Sequence, residues 1–454
     1  METTRTTFFT RDKKFYKTFF RLMLVVALQN LVAYSVNMLD NIMLGSYSQN
    51  ALSGAATVNQ IFFIVNQLAL SIGNALVAIC SQYWGKQETG AIRKMTGVAL
   101  ALSVLIGAIV VTACTRIPEQ LLRIFTTSPE IIAEGKAYLG LLKWTFLLFM
   151  ISNLLIAMLR SVEVVKISFV ISIVSLITNG CINYTLIFGH FGFPQLGVSG
   201  AAIGTVVSRV IEMSINIIGG SRNLYLKDAI KMKKVPFDTT KEMLKRGLPL
   251  LCNEILWSIS IALISQSYST RGIIAVAAIN ITTTVTNFFM IVCYAMGNSI
   301  SIVVGQQLGA GEIEKAKDYD LKMLFMNFVM CLAIGIVLFN VSSLIPQIYN
   351  TSLEVKALAS QLLKIAACML PIISIYYSSY FTMRAGGKTF LTFLFDSGYT
   401  FVFTFMSALL LTRLTSLPIL TIYLLVQCVD IPKATLGLVL VRKGIWVHNI
   451  VSDL

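Results

Sequence analysis

The sequence predicts an all-α polytopic membrane protein with twelve transmembrane helices in two parallel six-helix repeats. Three observations support this prediction. The chain is 56% apolar and only 13% charged, with a mean hydropathy of +0.77, unlike a soluble domain. It contains twelve apolar stretches of spanning length, and a segment of its first half recurs in its second half.

Each apolar stretch can cross a bilayer, because about 20 helical residues at 1.5 Å per residue span the hydrocarbon core. In chain order the stretches begin near Leu22, Ala55, Thr96, Ala137, Ile167, Leu196, Leu248, Ala275, Met323, Ala357, Phe390 and Leu417. We expect no cleavable signal peptide, since the basic start runs directly into a full-length span. The first helix is therefore predicted to be its own insertion signal.

Residues 72–93 are similar to residues 296–317, at an offset of 224 positions. The aligned pairs include Gly73 with Gly297, Gln82 with Gln306, Gly85 with Gly309, Arg160 with Arg384 and Arg209 with Lys433. One register across the whole chain indicates a duplication. Six spans per repeat is an even number, so the two repeats enter the membrane in the same orientation and are parallel. Parallel bundles of this kind rock about a central cleft in transporters.

The basic residues fall mainly in alternate connections, which explains the net charge of +15 without a nucleic-acid partner. By the positive-inside rule, these connections and both termini lie in the cytoplasm of a multi-pass plasma-membrane protein. Lys433 and Arg384 are each assigned to one of these connections. DNA binding is the weaker alternative. The predicted organisation is a cytoplasmic segment 1–21, a lobe 22–219, a basic linker 220–247 along an anionic leaflet, a lobe 248–440 and a cytoplasmic tail 441–454.

Asp40 is the most informative single residue, because it lies well inside the first predicted helix. A carboxylate there costs about 2.5 to 3.5 kcal/mol on insertion scales, so it should face a wet cavity and have a proton or a cation as partner. The alternative is an interfacial Asp at a helix end.

Two amides of the fifth helix, Asn179 and Asn183, are at i and i+4 and share one face. Their oxygens could complete the shell of a hard cation. They could equally hydrogen-bond neighbouring helices, as interior amides commonly do.

The predicted substrate cleft or gate includes residues of both halves. Glu254 is expected about five residues into the seventh helix, where an interfacial position is the alternative, and the 224 offset makes it the counterpart of Asn30. Both positions are polar, which suggests that they line the cleft. The other predicted cleft residues are Tyr34, Asn37 and Asp396.

Several segments together resemble the multidrug and toxic compound extrusion (MATE) transporters, over essentially the whole chain. They are LRSVEVVK, TNGCINYTLIFG and LGVSGAAIGTVVSR in the first half, and GQQLGAGEIEKAK and MRAGGKT in the second. The resemblance implies two six-helix lobes that open like a V. It also implies export of small organic compounds, often cationic or aromatic, by antiport with H⁺ or Na⁺.

The resemblance also implies roles for individual residues. Asp40, five residues before Gly45, is similar to the coupling carboxylate of the family, and Asn179 matches the first Asn of its N-x-x-x-[DN] pair. The second member of that pair is Asn183 here, where some relatives have Asp. Tyr138 and Thr205 are similar to a Tyr and a Thr of the same cation site.

Three departures from the family are visible. Residues 22–45 contain no proline, although some proton-coupled relatives bend the first helix at one. Glu254 stands five residues after Pro249 where many relatives have eight, and Ile373 occupies the place of an Asp on the tenth helix. Asn183 in place of Asp removes a charge, which favours protons as the driver, with Na⁺ able to compete at Asp40.

The sequence gives little support for any chemistry other than transport, and we expect neither an enzyme nor a bound cofactor. The two histidines, His190 and His448, are far apart, and the eight cysteines occur singly without C-x-x-C spacing. No phosphate-binding G-x-x-x-x-G-K-[ST] motif is present. Two function classes remain, an antiporter that works as a monomer and a lipid-linked precursor flippase, for which Lys143 and Lys364 are the supporting residues. A channel or receptor is less consistent with the pattern.

Overall fold

The computed structural model describes residues 12–221 and 237–452, and within these ranges it is helical without β-strands. Twelve long helices meet the length and hydropathy of membrane spans, which confirms the predicted fold class. They are α1 (Lys13–Tyr47), α2 (Gln49–Gly85), α3 (Thr89–Arg116), α4 (Pro129–Ser161), α5 (Val165–Phe188), α6 (Val198–Ser221), α7 (Phe237–Ser269), α8 (Ile273–Gly309), α9 (Ile313–Val341), α10 (Leu353–Ala385), α11 (Thr389–Leu414) and α12 (Ile419–Arg442).

Most of these helices begin several residues before the apolar stretch that predicted them, because polar residues continue the helix beyond the apolar window. The difference matters most for α7, which begins at Phe237 inside the stretch assigned to the linker. Glu254 therefore lies in the middle of α7, so its expected position near the start of this helix was wrong. Residues 222–236 of that linker lie outside the described part of the chain.

The described chain divides into two compact units, and each unit is made of more than one separate segment of the sequence. The unit we call the C-terminal unit contains residues 12–27, Ser81–Gln87 and the chain from Leu248 onward. The N-terminal unit contains Leu28–Cys80 and the described residues of Glu88–Gly247. Both α1 and α2 thus contribute residues to each unit.

The N-terminal unit packs α3, α5 and α6 around α4 and one another. Its apolar core includes Leu44 of α1, Val58 of α2, Phe146 and Met150 of α4 and Ala201 of α6, all nearly inaccessible to solvent. In the C-terminal unit α8 and α9 pack against α10, and α12 packs on the other side of α10. Leu362 and Leu370 of α10 are fully enclosed there.

The repeated segment forms a reciprocal contact within the C-terminal unit. Gly85 of α2 lies against the carbonyl of Gln306 so closely that a Cβ would collide with it, and Gly309 of α8 lies in the same way against the carbonyl of Gln82. Only glycine permits such an approach between two backbones. The Gln82 side chain also donates to the carbonyl of Ala385 at 2.8 Å, which links the end of α2 to the end of α10.

The helices α11 and α12 are irregular where they face one another. Leu394–Gly398 and Thr400–Phe405 of α11 are π-helical, and π-helical turns are frequent at functional sites. Helix α12 is interrupted at Val429, between Ile419–Cys428 and Asp430–Arg442, and Pro432 stands just after this break. Proline removes a backbone hydrogen bond and clashes with the preceding turn, which accounts for the interruption.

Candidate functional site

In the N-terminal unit, α1, α5 and α6 bring one acid and three neutral polar side chains together. Asn183 Nδ2 donates to Asp40 Oδ1 at 2.5 Å and to Asn179 Oδ1 at 3.2 Å. Asn179 Nδ2 in turn lies 3.4 Å from Thr205 Oγ1, which donates to the carbonyl of Ala201. The i, i+4 spacing of the two asparagines produces this arrangement, because it points both amides from α5 towards α1 and α6.

The Asn183 amide is the centre of this group and is fully buried. Its nitrogen has two acceptors, whereas its oxygen is enclosed without a hydrogen-bond partner. Gly204 of α6 packs so closely against this oxygen that a Cβ would collide with it. A buried oxygen without a donor, beside a carboxylate, is suited to contact a cation or a proton donor.

Two further side chains border the group. Tyr138 of α4 is buried and lies close to both Asp40 and Thr205. Arg209 of α6 is in electrostatic range of Asp40, but its guanidinium pairs with Glu212 at 2.6 Å. Within the described residues Asp40 forms no ion pair. The hydrogen bond to its carboxylate therefore comes from a neutral amide, that of Asn183.

The predicted cation-site residues Asp40, Tyr138, Asn179, Asn183 and Thr205 thus lie together. Among the described residues, no group of three or more His, Cys, Asp and Glu side chains has the arrangement of a metal site. A sodium shell here would consist of one carboxylate with amide and hydroxyl oxygens, and a proton would need only Asp40.

The residues predicted for the substrate cleft or gate belong to both units. Asn30 of α1 is half-buried, Tyr34 is 38% exposed, and the side chain of Asn37 lies outside the described residues. Glu254 is half-buried in the C-terminal unit, in electrostatic range of Arg384 and Tyr380.

Asp396 is buried on the π-helical part of α11. It accepts hydrogen bonds from Lys433 of α12 at 2.9 Å and from Asn253 of α7 at 3.2 Å. Sequence reasoning missed both partners. Lys433 was assigned to a cytoplasmic connection, whereas the structure encloses it within the twelfth helix. Its alignment with Arg209, a residue inside a predicted helix, was the signal that could have located it.

The buried Arg384 was also assigned to a connection. It is the last basic residue of α10, it donates to Asn298 Oδ1 at 3.2 Å, and its guanidinium lies 4.5 Å from the ring centre of Phe381. Asp320 of α9 is enclosed too, with one carboxylate oxygen accepting from the Thr382 hydroxyl. The sequence segments that contain Arg384 and Asp320 are apolar on average, and this average does not indicate which single charges are buried. Their burial depends on how the neighbouring helices pack.

Known proteins resemble this chain both in sequence and in fold. The MatE family model matches residues 26–185 and 249–405, which together make up more than half of the chain. A probable multidrug resistance protein NorM of Thermotoga maritima is 23% identical over 376 residues, covering 82% of this chain and 80% of the relative. A probable multidrug resistance protein YoeA of Bacillus subtilis is 24% identical over 372 residues, covering 81% and 80%.

Two solved structures show how similar the fold is. The MATE transporter VcmN of Vibrio cholerae superposes with a TM-score of 0.88 at 16% identity, over 96% of this chain and 98% of that one. A MOP superfamily transporter from Pyrococcus furiosus superposes with a TM-score of 0.86 at 17% identity, over 94% and 95%. At these identities the likeness concerns the fold alone.

Proposed function

Since the chain belongs to the MatE family of multidrug and toxic compound extrusion transporters, we propose that it exports organic compounds, cationic or aromatic in character, by antiport with H⁺ or Na⁺. Export proceeds by alternating access in a protein that acts as a monomer in the plasma membrane, with both termini in the cytoplasm. The relatives named as probable multidrug resistance proteins support this substrate class.

The observation that carries the proposal is the environment of Asp40. A carboxylate inside a membrane helix is costly unless it has a proton, a cation or strong donors. Asp40 has one close neutral donor, Asn183, and the nearby Arg209 is paired with Glu212. Such a carboxylate can gain and lose a small cation without breaking an ion pair, as a coupling residue must.

In this mechanism Asp40 binds the ion from one side of the membrane and releases it to the other. Asn183 and Asn179 orient the carboxylate and supply amide oxygens, and Thr205 with Tyr138 completes the polar boundary. We favour protons as the driver, because one carboxylate suffices for a proton and Na⁺ prefers a shell of several oxygens. Sodium competes at the same carboxylate.

No observation favours the alternative, a lipid-linked precursor flippase. Lys364 is exposed, and its ammonium lies 5.8 Å from the ring centre of Phe339. Lys143 lies in the same way 5.5 Å from the ring of Trp144. Long lysine side chains beside aromatic rings at a membrane surface are common without a ligand.

Purified protein in liposomes tests the proposal, with efflux of a cationic fluorescent dye driven by an imposed proton or sodium gradient in turn. We expect export with the proton gradient, inhibition by added Na⁺, and a loss of at least about tenfold in Asp40→Asn, which keeps the shape and removes the charge. The exposed Asp238→Asn is the matched control. Wild-type export by Asp40→Asn would refute the role of this carboxylate.

A further inference from the structure

The C-terminal unit contains a buried ion pair that the mechanism above does not use. Lys433 and Asp396 have side chains only 3% and 9% exposed, and their Nζ and Oδ1 atoms are 2.9 Å apart. The ammonium is also 3.2 Å from Thr400 Oγ1 and 3.4 Å from the backbone carbonyl of Asp396. Three oxygens of different chemical types therefore converge on one positive charge.

Aromatic rings complete the surroundings of this charge. The Lys433 ammonium lies 4.5 Å from the ring centre of Tyr376, and the rings of Phe395 and Tyr399 follow at 5.8 and 5.9 Å. An aromatic face attracts cations through its quadrupole. Oxygen ligands together with an aromatic face are suited to bind a monovalent cation, and here a side-chain ammonium contacts both.

The oxygens are held in place by contacts that do not involve the lysine. Asn253 Nδ2 donates to the second carboxylate oxygen of Asp396 at 3.2 Å. The Ser397 hydroxyl lies 2.7 Å from Asn253 Oδ1, which keeps the amide nitrogen directed at Asp396. Thr400 Oγ1 donates to the backbone carbonyl of Asp396 at 2.8 Å. The oxygens are thus positioned by α7 and the π-helical part of α11, and α12 supplies the ammonium.

A second acid strengthens the negative field around this shell. Asp430 begins the last segment of α12, one turn before Lys433, and is in electrostatic range of both Lys433 and Asp396. If the ammonium were absent, the Asp396 carboxylate would face a space lined by hydroxyl and carbonyl oxygens, with the charge of Asp430 nearby. A free cation would then be the natural replacement, since breaking a buried pair leaves an uncompensated charge.

We propose that Lys433 is a tethered ammonium that permanently occupies a monovalent-cation site of the C-terminal unit, formed by Asp396, Thr400 and Tyr376. The exchangeable coupling ion then binds only in the N-terminal unit, at Asp40, and this second statement rests on the proposed antiport function. The ligand class of the latent site is a small monovalent cation, Na⁺ or K⁺.

Calorimetric titration of purified protein with sodium chloride or potassium chloride, against choline chloride, tests this proposal without any transport. All variants carry Asp40→Asn, so that the N-terminal site is silent. Adding Lys433→Ala should create one site for Na⁺ or K⁺. The double variant should bind that ion at least tenfold more tightly than the protein with Asp40→Asn alone. Further addition of Asp396→Asn should remove the new site. The exposed Lys364→Ala is the matched control and should create none.

Each result is decisive. A folded Lys433→Ala variant that binds no cation, or one whose new site survives Asp396→Asn, would overturn the proposal. If Lys433→Ala unfolds in choline chloride, sodium or potassium must restore its thermal unfolding transition, because the ion stabilises the state that binds it. A variant unfolded in all three salts would also refute the proposal. Failure of dye export would count against the proposed function alone, since these comparisons measure binding.

Discussion

Asn183 connects the acid of α1 to the polar face of α5 and α6 with a single amide. Both of its donor contacts are used, and its oxygen is enclosed against Gly204. A small change at this residue or at the glycine should therefore alter the environment of Asp40 without disturbing the apolar core. The first two predictions concern these two positions.

Gly204→Ala should displace the Asn183 amide from Asp40, since the added Cβ would collide with the amide oxygen. We expect gradient-driven export to fall about tenfold or more, with a stability loss of about 1–3 kcal/mol from overpacking. Dye efflux and thermal unfolding measure the two effects. Gly140→Ala in α4 is the control, because its Cβ meets no atom within 4 Å. Equal export by both variants would show that the amide position is unimportant.

Asn183→Asp should raise the sodium affinity of the site, by about tenfold or more. A second carboxylate would stand next to Asp40, and two neighbouring carboxylates cannot both remain charged without a shared proton or cation. Sodium titration by calorimetry measures the affinity, and sodium inhibition of proton-driven export should strengthen in parallel. Asn183→Ser lacks the charge and serves as the control. Sodium binding identical in Asn183→Asp and wild type would remove this residue from the ion site.

The duplicated helices use equivalent residues for different purposes. Arg209 of α6 and Lys433 of α12 align at the 224 offset. Arg209 pairs with Glu212 on its own helix, which leaves Asp40 outside any ion pair among the described residues, whereas Lys433 neutralises Asp396 of a neighbouring helix. The two halves are therefore related in sequence and different in electrostatics. The helix contact of α2 with α8 is the opposite case, because both halves contribute the same residues to it.

Gly309→Ala should destabilise the α2–α8 contact by about 1–3 kcal/mol or more, since a Cβ would overlap the carbonyl of Gln82, a backbone atom that cannot rotate away. Thermal unfolding in detergent should show the loss, and Gly85→Ala should reproduce it from the opposite helix. Gly90→Ala, whose Cβ meets no atom within 4 Å, is the control. Unfolding temperatures that match the control would contradict the close approach.

At the scale of the whole molecule, the distribution of basic residues predicts the orientation of the chain in the membrane. The described basic side chains near helix ends, such as Lys317 and Arg442, belong to connections that the positive-inside rule assigns to the cytoplasm. The C-terminal residues pack onto the C-terminal unit. Trp446 is fully buried, and the backbone nitrogen of Ile450 donates to Gln82 Oε1 at 2.7 Å. The described part of the tail, up to residue 452, thus belongs to this unit.

Protease-cleavable tags at the two termini should both be removed from inverted membrane vesicles and protected in intact cells. We expect this result because positively charged connections are generally retained on the cytoplasmic side of a membrane. Cleavage is measured by immunoblotting, and a tag inserted between α3 and α4, on the opposite side, is the control. Cleavage of either terminal tag in intact cells would overturn the assigned orientation.

The sequence by itself determined the membrane environment and the number of spans, because membrane insertion depends on the hydropathy of each segment. It also determined the duplication, because one register persists through the chain. It also identified Asp40 and the i, i+4 pair on α5, since an acid inside an apolar helix stands out and helical spacing is regular. Only the tertiary structure decided that Lys433 and Arg384 are buried, that Thr400 contacts the Lys433 ammonium while Asn253 donates to its partner Asp396, and that Gly204 packs against Asn183. Helix ends and burial depend on neighbouring helices, because a polar side chain extends a helix or enters a core only where a partner compensates it.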